Sequence, residues 1–320
     1  MKRIDLILDV DTGVDDALAL LLAVRHPAMR LRAVTCVAGN AGLDDVVRNT
    51  LGVLAVAGAT GIPVGAGAER PLIAPHRPSV LFHGAGGLGG IAVPQARRRA
   101  LPHAIDLMRK TIAASRAPLT LVALGPLTNV ALLVRTAPHL ARRLARIVFM
   151  GGSAHVGNAT PIAEFNAWGD PEALAIVLSA GCPITMYGLD VFFDAIVTPA
   201  DVRALADSPK RAPRLAGRLL SYLNRMGQEE RRVAALANTT LGDAGTVAAV
   251  IAPTALKTAR LPVGIVLDGH AARGQTIVDR RARKGEGDHG GPLPMTEIDV
   301  ALGIDAAALR RVFMDALLGH

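Results

Sequence analysis

Aromatic residues are scarce in this 320-residue chain: Phe, Tyr and Trp together make up 3% of it, with a single tryptophan. Its core must therefore be built from Ala, Val, Leu and Ile, and hydrophobic residues do reach 51%. Cysteine is almost absent. Cys36 and Cys182 each lie in an apolar, strand-like run, which excludes a disulfide framework and any cysteine-based zinc spacing. Charged residues are few, at 19%, which excludes a disordered chain held open by charge. No apolar stretch approaches the length needed to span a bilayer. The basic start MKRIDLILDVD has an apolar run too short for a secretory signal and ends in aspartates. These absences point to a cytoplasmic protein with no membrane partner. Lysine is also rare, so the net charge of +8 comes almost wholly from arginine. The arginine clusters (Arg97–Arg99, Arg142/Arg143 and Arg280/Arg281/Arg283) are scattered and lack interleaved aromatics. They read as solvated surface, not as a nucleic-acid footprint.

What is present is alternation. Short apolar runs at Ile4–Val10, Leu31–Val37, Ile62–Val64, Leu119–Leu124, Ile147–Met150 and Ile184–Tyr187 read as strands. Helical patterns separate them, at Asp15–His26, Asp44–Ala57, Pro102–Ser115, Leu127–Arg135 and Pro171–Ala180. The pattern predicts an α/β fold with an open, mostly parallel sheet flanked by helices, a Rossmann-like core. From Pro199 to Ala252 the chain reads as extra helices. A small β-hairpin (Leu261–Leu267 with Gln275–Val278) and a terminal helix (Asp305–Leu318) follow. No repeat or linker interrupts residues 1–320, so one domain is expected. The glycine-rich stretches Phe82–Gly90 and Gly285–Pro292 read as loops, the first a candidate for a mobile loop over a site.

Ligands in such sheets bind beyond the carboxyl ends of the strands, and the polar clusters of this chain fall there. The segment Ile7–Leu18, ILDVDTGVDDAL, packs Asp9, Asp11, Asp15 and Asp16 into eight residues between a strand and a helix. Like charges this close repel, so the arrangement suits a divalent cation or a donor-rich substrate. An over-acidic but solvated helix start is the simpler alternative. An EF-hand is excluded, because Gly13 takes the fifth position of such a loop and no glutamate the twelfth. Asn158, Glu164 and Asn166 form a second constellation whose donors and acceptors suit a polyhydroxylated ligand such as a sugar; caps and turns are the alternative use. Asp243, ahead of an apolar helix, reads on its own as a cap. His83 is a lone histidine on a loop, as well suited to solvent as to function.

Taken in order, DVDTGVDDALAL, VAGN, FHGAGGLG, ALGPLTNVAL, EFNAWGDPEAL and the helix start at Asp243 resemble the nucleoside hydrolases, the inosine/uridine-preferring nucleoside N-ribohydrolases, over essentially the whole chain. The resemblance implies hydrolysis of ribonucleosides to base and ribose, in purine or pyrimidine salvage, by a homodimer or homotetramer. It implies a Ca²⁺ ion held by Asp11, Asp16, Asp243 and the main-chain carbonyl of Leu124. Asp11 would act as general base, while Asp15, Asn40, Asn166 and Asp243 would hold the lower ribose hydroxyls. Asn158 and Glu164 would hold the 5′-hydroxyl.

Three departures from the family pattern stand out. Thr12 replaces a frequent proline, and Gly86 replaces the aspartate of HGxDGLG. Gly242 occupies the position where many purine-active members carry a histidine. Protonation of the leaving base then falls to another group, with His83, Tyr222 and Arg232 as candidates and His155 and His289 behind them. Two other readings remain at this stage. One is a nucleoside- or ribose-binding protein with little turnover. The other is a haloacid-dehalogenase-type phosphatase using Asp9 and Asp11, which would need a lysine among Lys110, Lys210 and Lys257.

Overall fold

The computed structural model describes residues 3–95, 100–229, 239–281 and 293–319. Arg97–Arg99, Arg232, Arg283, His289 and the stretch Gly285–Pro292 therefore lie outside the described residues. Strand β1 (Ile4–Val10) runs into helix α1 (Val14–Arg25), and the alternation continues through β2 (Met29–Cys36), α2 (Leu43–Val56) and β3 (Val64–Ala66). Short α3 (Val80–His83) and longer α4 (Ala104–Ala114) precede β4 (Thr120–Ala123), α5 (Thr128–Thr136), α6 (Pro138–Ala141) and β5 (Arg146–Met150). Helices α7 (Phe165–Gly169) and α8 (Pro171–Leu178) lead to β6 (Ile184–Tyr187). The extra helices are α9 (Leu189–Phe192), α10 (Pro199–Ala206), α11 (Arg211–Glu229) and α12 (Asp243–Ile251). Strands β7 (Leu256–Ile265), β8 (Thr276–Val278) and β9 (Thr296–Ile304) and helix α13 (Ala306–Leu318) complete the described elements.

Strand periodicity divides the core in two. In β1, Leu6, Leu8 and Val10 face a core shared with α1, α2, α11, α12 and α13, while Ile7 faces a core shared with α4, α5 and α8. Both faces are thus covered by helices, which is why these strands are nearly continuous apolar runs. The strand order is β3-β2-β1-β4-β5-β6-β9-β7-β8, parallel from β3 through β9. The order reverses direction between β1 and β4, so the loops after these two strands open a crevice at the switch point.

One strand escapes sequence reading. β9 inserts between β6 and β7, parallel to the first and antiparallel to the second. Its segment TEIDVALGI buries Ile298, Val300 and Ala301 but carries Glu297, Asp299 and Gly303, which blur the alternation. The hairpin of β7 and β8 is consequently the edge of the main sheet and not an appendage.

Candidate active site

Asp11 follows β1 at the switch point and is fully buried. Its Oδ2 accepts the Asn40 N–H at 2.7 Å, and its Oδ1 is buried with no partner. Gly39 has to be glycine here, because a Cβ would lie 2.1 Å from Asp11 Oδ2. Asp16 sits in the first turn of α1. Its carboxylate accepts the N–H groups of Gly13 (2.9 Å) and Asp11 (3.2 Å), so it caps the helix and shapes the loop at once. The Asn40 side chain also donates to Asp16 Oδ2, at 3.2 Å. Asp243 opens α12, whose close packing on α1 brings it to the same place. Asp15, Asp16 and Asp243 each present an oxygen within 4.8 Å of the others, all three buried.

Burial comes first in pushing Asp11 well above the usual carboxylate range, followed by the negative field of Asp16 and of Asp15. Asp16 is pushed up to about 6 by burial and by Asp15. Asp243 is raised well above the usual range by burial, then by Asp15, Asp16 and Asp11. Among the described residues, no lysine or arginine forms an ion pair with these four carboxylates. Orphaned oxygens on Asp11 and Asp15 and an all-carboxylate donor set fit a hard divalent cation. The helix-start alternative is half right: Asp16 does cap α1, but neither Asp15 nor Asp16 is solvated.

His83 ends α3 and is buried, not solvated. Its Nδ1 accepts the Val14 N–H at 3.2 Å, which places the ring proton on Nε2, and it lies 4.0 Å from Asp15 Oδ1. Burial lowers its pKa, against the opposing field of Asp15, so the ring is neutral near pH 7. The glycine-rich turn after it is tied down by Asn49, whose Nδ2 donates to Thr12 O (3.1 Å) and Gly86 O (2.7 Å). Sequence reading passes over Asn49; its signal is an asparagine inside a helix, where its propensity is poor. The Tyr222 hydroxyl donates to Phe82 O at 3.1 Å, so it braces α3 from outside. His155 lies on the surface beside Asp190 and Arg280.

Glu164 caps α7. Its oxygens accept the N–H groups of Gly152, Asn166 and Ala167, each at 2.9 Å, and burial nevertheless raises its pKa. Asn166 Nδ2 donates to Leu124 O (2.7 Å) and Met150 O (3.1 Å), which joins this constellation to the end of β4. Asn158 is exposed at the rim and accepts the Phe165 N–H at 2.8 Å. Asp9 stands apart. Thr35 (2.6 Å) and Asn129 (2.8 Å) hold its Oδ1, and burial pushes its pKa to about 7. A fully buried Asp9, with Lys110, Lys210 and Lys257 all exposed, removes the phosphatase reading, which needs an accessible nucleophile.

Fold and site together define an α/β enzyme with an acidic, cation-ready crevice at the switch point of its sheet. The chain belongs to the inosine-uridine preferring nucleoside hydrolase family, whose model matches residues 6–311. It is 36% identical over 310 residues to the inosine-uridine preferring nucleoside hydrolase of Crithidia fasciculata, covering 96% of this chain and 98% of that one. It is 40% identical over 275 residues to the pyrimidine-specific ribonucleoside hydrolase RihA of Enterobacter sp. (strain 638), covering 86% and 87%. Among solved structures it superposes on the plant nucleoside hydrolase PpNRh1 with a TM-score of 0.89 at 27% identity, over 98% of this chain and 99% of that one. The chain is therefore an N-glycosyl hydrolase of ribonucleosides. Among the described residues, no helix is long and apolar enough to cross a membrane.

Proposed function

We propose that this chain releases free base and ribose from ribonucleosides on a Ca²⁺ platform formed by Asp11, Asp16, Asp243 and the Leu124 carbonyl. The observation that carries the reading is the pair of buried, unpartnered oxygens, Asp11 Oδ1 and Asp15 Oδ1, inside a cluster of carboxylates. A bound ion there supplies the missing positive charge, contacts for ribose hydroxyls and a more acidic water. Asp11 accepts the proton of the attacking water at its free Oδ1, while the Asn40 N–H on Oδ2 stops the carboxylate from turning away. Asp15, Asn40, Asn166 and Asp243 hold the lower ribose hydroxyls, and Asn158 with Glu164 the 5′-hydroxyl. These contacts fix the sugar for near-unimolecular attack at C1′. The carboxylates also supply the negative field that an oxocarbenium-like sugar requires. To His83 Nε2–H we assign a hydrogen bond to the leaving base that steadies the charge it gains as its bond to C1′ breaks, since Gly242 offers no side chain. We further read residues 1–320 as one domain, acting in the cytoplasm as a homodimer or homotetramer in nucleoside salvage.

A ribonucleoside panel that includes p-nitrophenyl riboside tests this reading. Release of ribose from at least one natural nucleoside is expected. Turnover of the nitrophenyl compound alone would show a sound cation site without an effective acid. Binding without any turnover would make the chain a riboside-binding protein.

Chelation should lower the melting temperature, and the deficit should shrink on acidification. The sign follows from Asp11, Asp16 and Asp243: such carboxyls titrate near 3.8 in the open chain but these are raised in the fold, Asp16 to about 6. Between those values the cation-free folded form holds more protons than the unfolded chain, so its stability falls as pH rises through that window and stays low above it. Calorimetry from pH 4 to 8, with and without chelator, reads the effect. A deficit that grows on acidification would contradict it.

A further inference from the structure

We propose that His155, clamped between Asp190 and Arg280, is a positioning residue that sets the segment carrying Asn158 and so tunes recognition of the ribose 5′-hydroxyl. The proposal rests on the reading that Asn158 and Glu164 meet that hydroxyl. The segment leaves β5 and is held at four successive residues by side chains from other parts of the chain. Gly152 N–H donates to Glu164 Oε2 at 2.9 Å. Ser153 exchanges two hydrogen bonds with the Thr276 hydroxyl, at 2.8 and 2.6 Å. Ala154 N–H donates to Asp190 Oδ2 at 2.8 Å. His155 closes the series, with Nδ1 2.5 Å from Asp190 Oδ1 and Nε2 2.9 Å from Arg280 Nη1. A guanidinium only donates, so Nε2 accepts and Nδ1 carries the proton given to Asp190. The Asp190 side chain is 4% exposed, whereas that of His155 is 60% exposed. The imidazole thus links a buried carboxylate to a surface cation.

Beyond His155 the chain turns on itself. The N–H groups of Gly157, Asn158, Ala159 and Thr160 bond to Pro161 O or Ala163 O within the same loop. Val156 points outward, 58% exposed, and gives the loop no apolar anchor. The direction in which this closed loop presents Asn158 is set at its two ends, by Glu164 and the Phe165 N–H on one side and by residues 152–155 on the other, where His155 is the last anchor. Its imidazole touches none of the aspartates of the cation cluster, so its effect should be confined to the 5′ end of the sugar.

The test compares p-nitrophenyl riboside with its 5-deoxy counterpart on wild type, His155→Ala, His155→Asn and Asn158→Ala. His155→Ala should raise KM for the riboside by about 3- to 10-fold, the value of one well-placed hydrogen bond, with kcat little changed. KM for the 5-deoxy compound should stay put. His155→Asn, whose amide N–H can replace Nδ1–H toward Asp190, should restore much of the loss. A purely structural role would raise both KM values together, and that result, or no change at all, overturns the proposal. Wild type should bind the riboside better than the 5-deoxy compound, and Asn158→Ala should erase the difference. If wild type draws no such distinction, the 5′-hydroxyl reading fails and takes the proposal with it. If only His155→Ala departs from expectation, the positioning role fails alone.

Discussion

Asp11→Asn should lower kcat by about 10²–10⁴-fold, the usual worth of general-base assistance, while the chelated protein becomes more stable. The two effects have one origin. The substituted amide keeps the shape of the side chain, so an oxygen can still accept the Asn40 N–H now bonded at 2.7 Å. What disappears is a fully buried charge, destabilised by burial itself and by the negative fields of Asp16 and Asp15. Without a cation, that charge opposes folding, and its removal relieves the strain. With a cation, the same charge takes the proton from water, and its loss stops the reaction. Ribose release at saturating substrate reads the first effect and melting of the chelated protein the second. Turnover within tenfold of wild type would show that another group is the base.

Gly242→His should also inactivate, although the family resemblance suggests it as a repair. Gly242 adopts φ +55°, ψ −130° at the start of α12. A side chain at that positive φ, a conformation that glycine adopts freely and other residues rarely, costs about 1–3 kcal/mol. The larger obstacle is contact: a Cβ at 242 would lie 2.7 Å from both Cβ and Oδ2 of Asp15. The Cβ of Asp15 is fixed to α1 and cannot swing aside, so either α1 or the turn before Asp243 must move. Both carry carboxylates of the cation cluster. A displacement of about 1 Å at a reacting centre costs on the order of 10²-fold, and a loss of that size in kcat/KM is expected. Gly242→Ala should share most of it, since the offending atom is the Cβ. A gain of activity on natural nucleosides in Gly242→His would contradict a clash at Asp15. The leaving-group half of this chemistry therefore has to be built elsewhere, and His83, with its proton on Nε2, is the buried imidazole beside Asp15.

Much of this was legible in residues alone. Ile4–Val10 and Ile184–Tyr187 match strands β1 and β6 end to end, because apolar runs buried on both faces leave no ambiguity of period. β9 was not legible, since Glu297, Asp299 and Gly303 interrupt its pattern and its burial depends on β6 and β7, far away in the chain. Four aspartates in eight residues announced the crevice. Their division of labour did not show: Asp16 caps α1, Asp9 turns to Thr35 and Asn129, and Asp11 keeps one oxygen free. Asn129, within the ALGPLTNVAL stretch, fixes Asp9 and the Cys36 carbonyl beneath the crevice. The conformation of Gly242 is likewise invisible without knowing that α12 packs on α1.

The central claim is that the Asp11–Asp16–Asp243 platform needs a cation in order to cleave a riboside. The direct measurement is ribose release from one ribonucleoside by the same enzyme sample as purified, after exhaustive chelation, and after Ca²⁺ is returned. Activity should vanish on chelation and come back with Ca²⁺. Full turnover by the chelated protein would contradict the account.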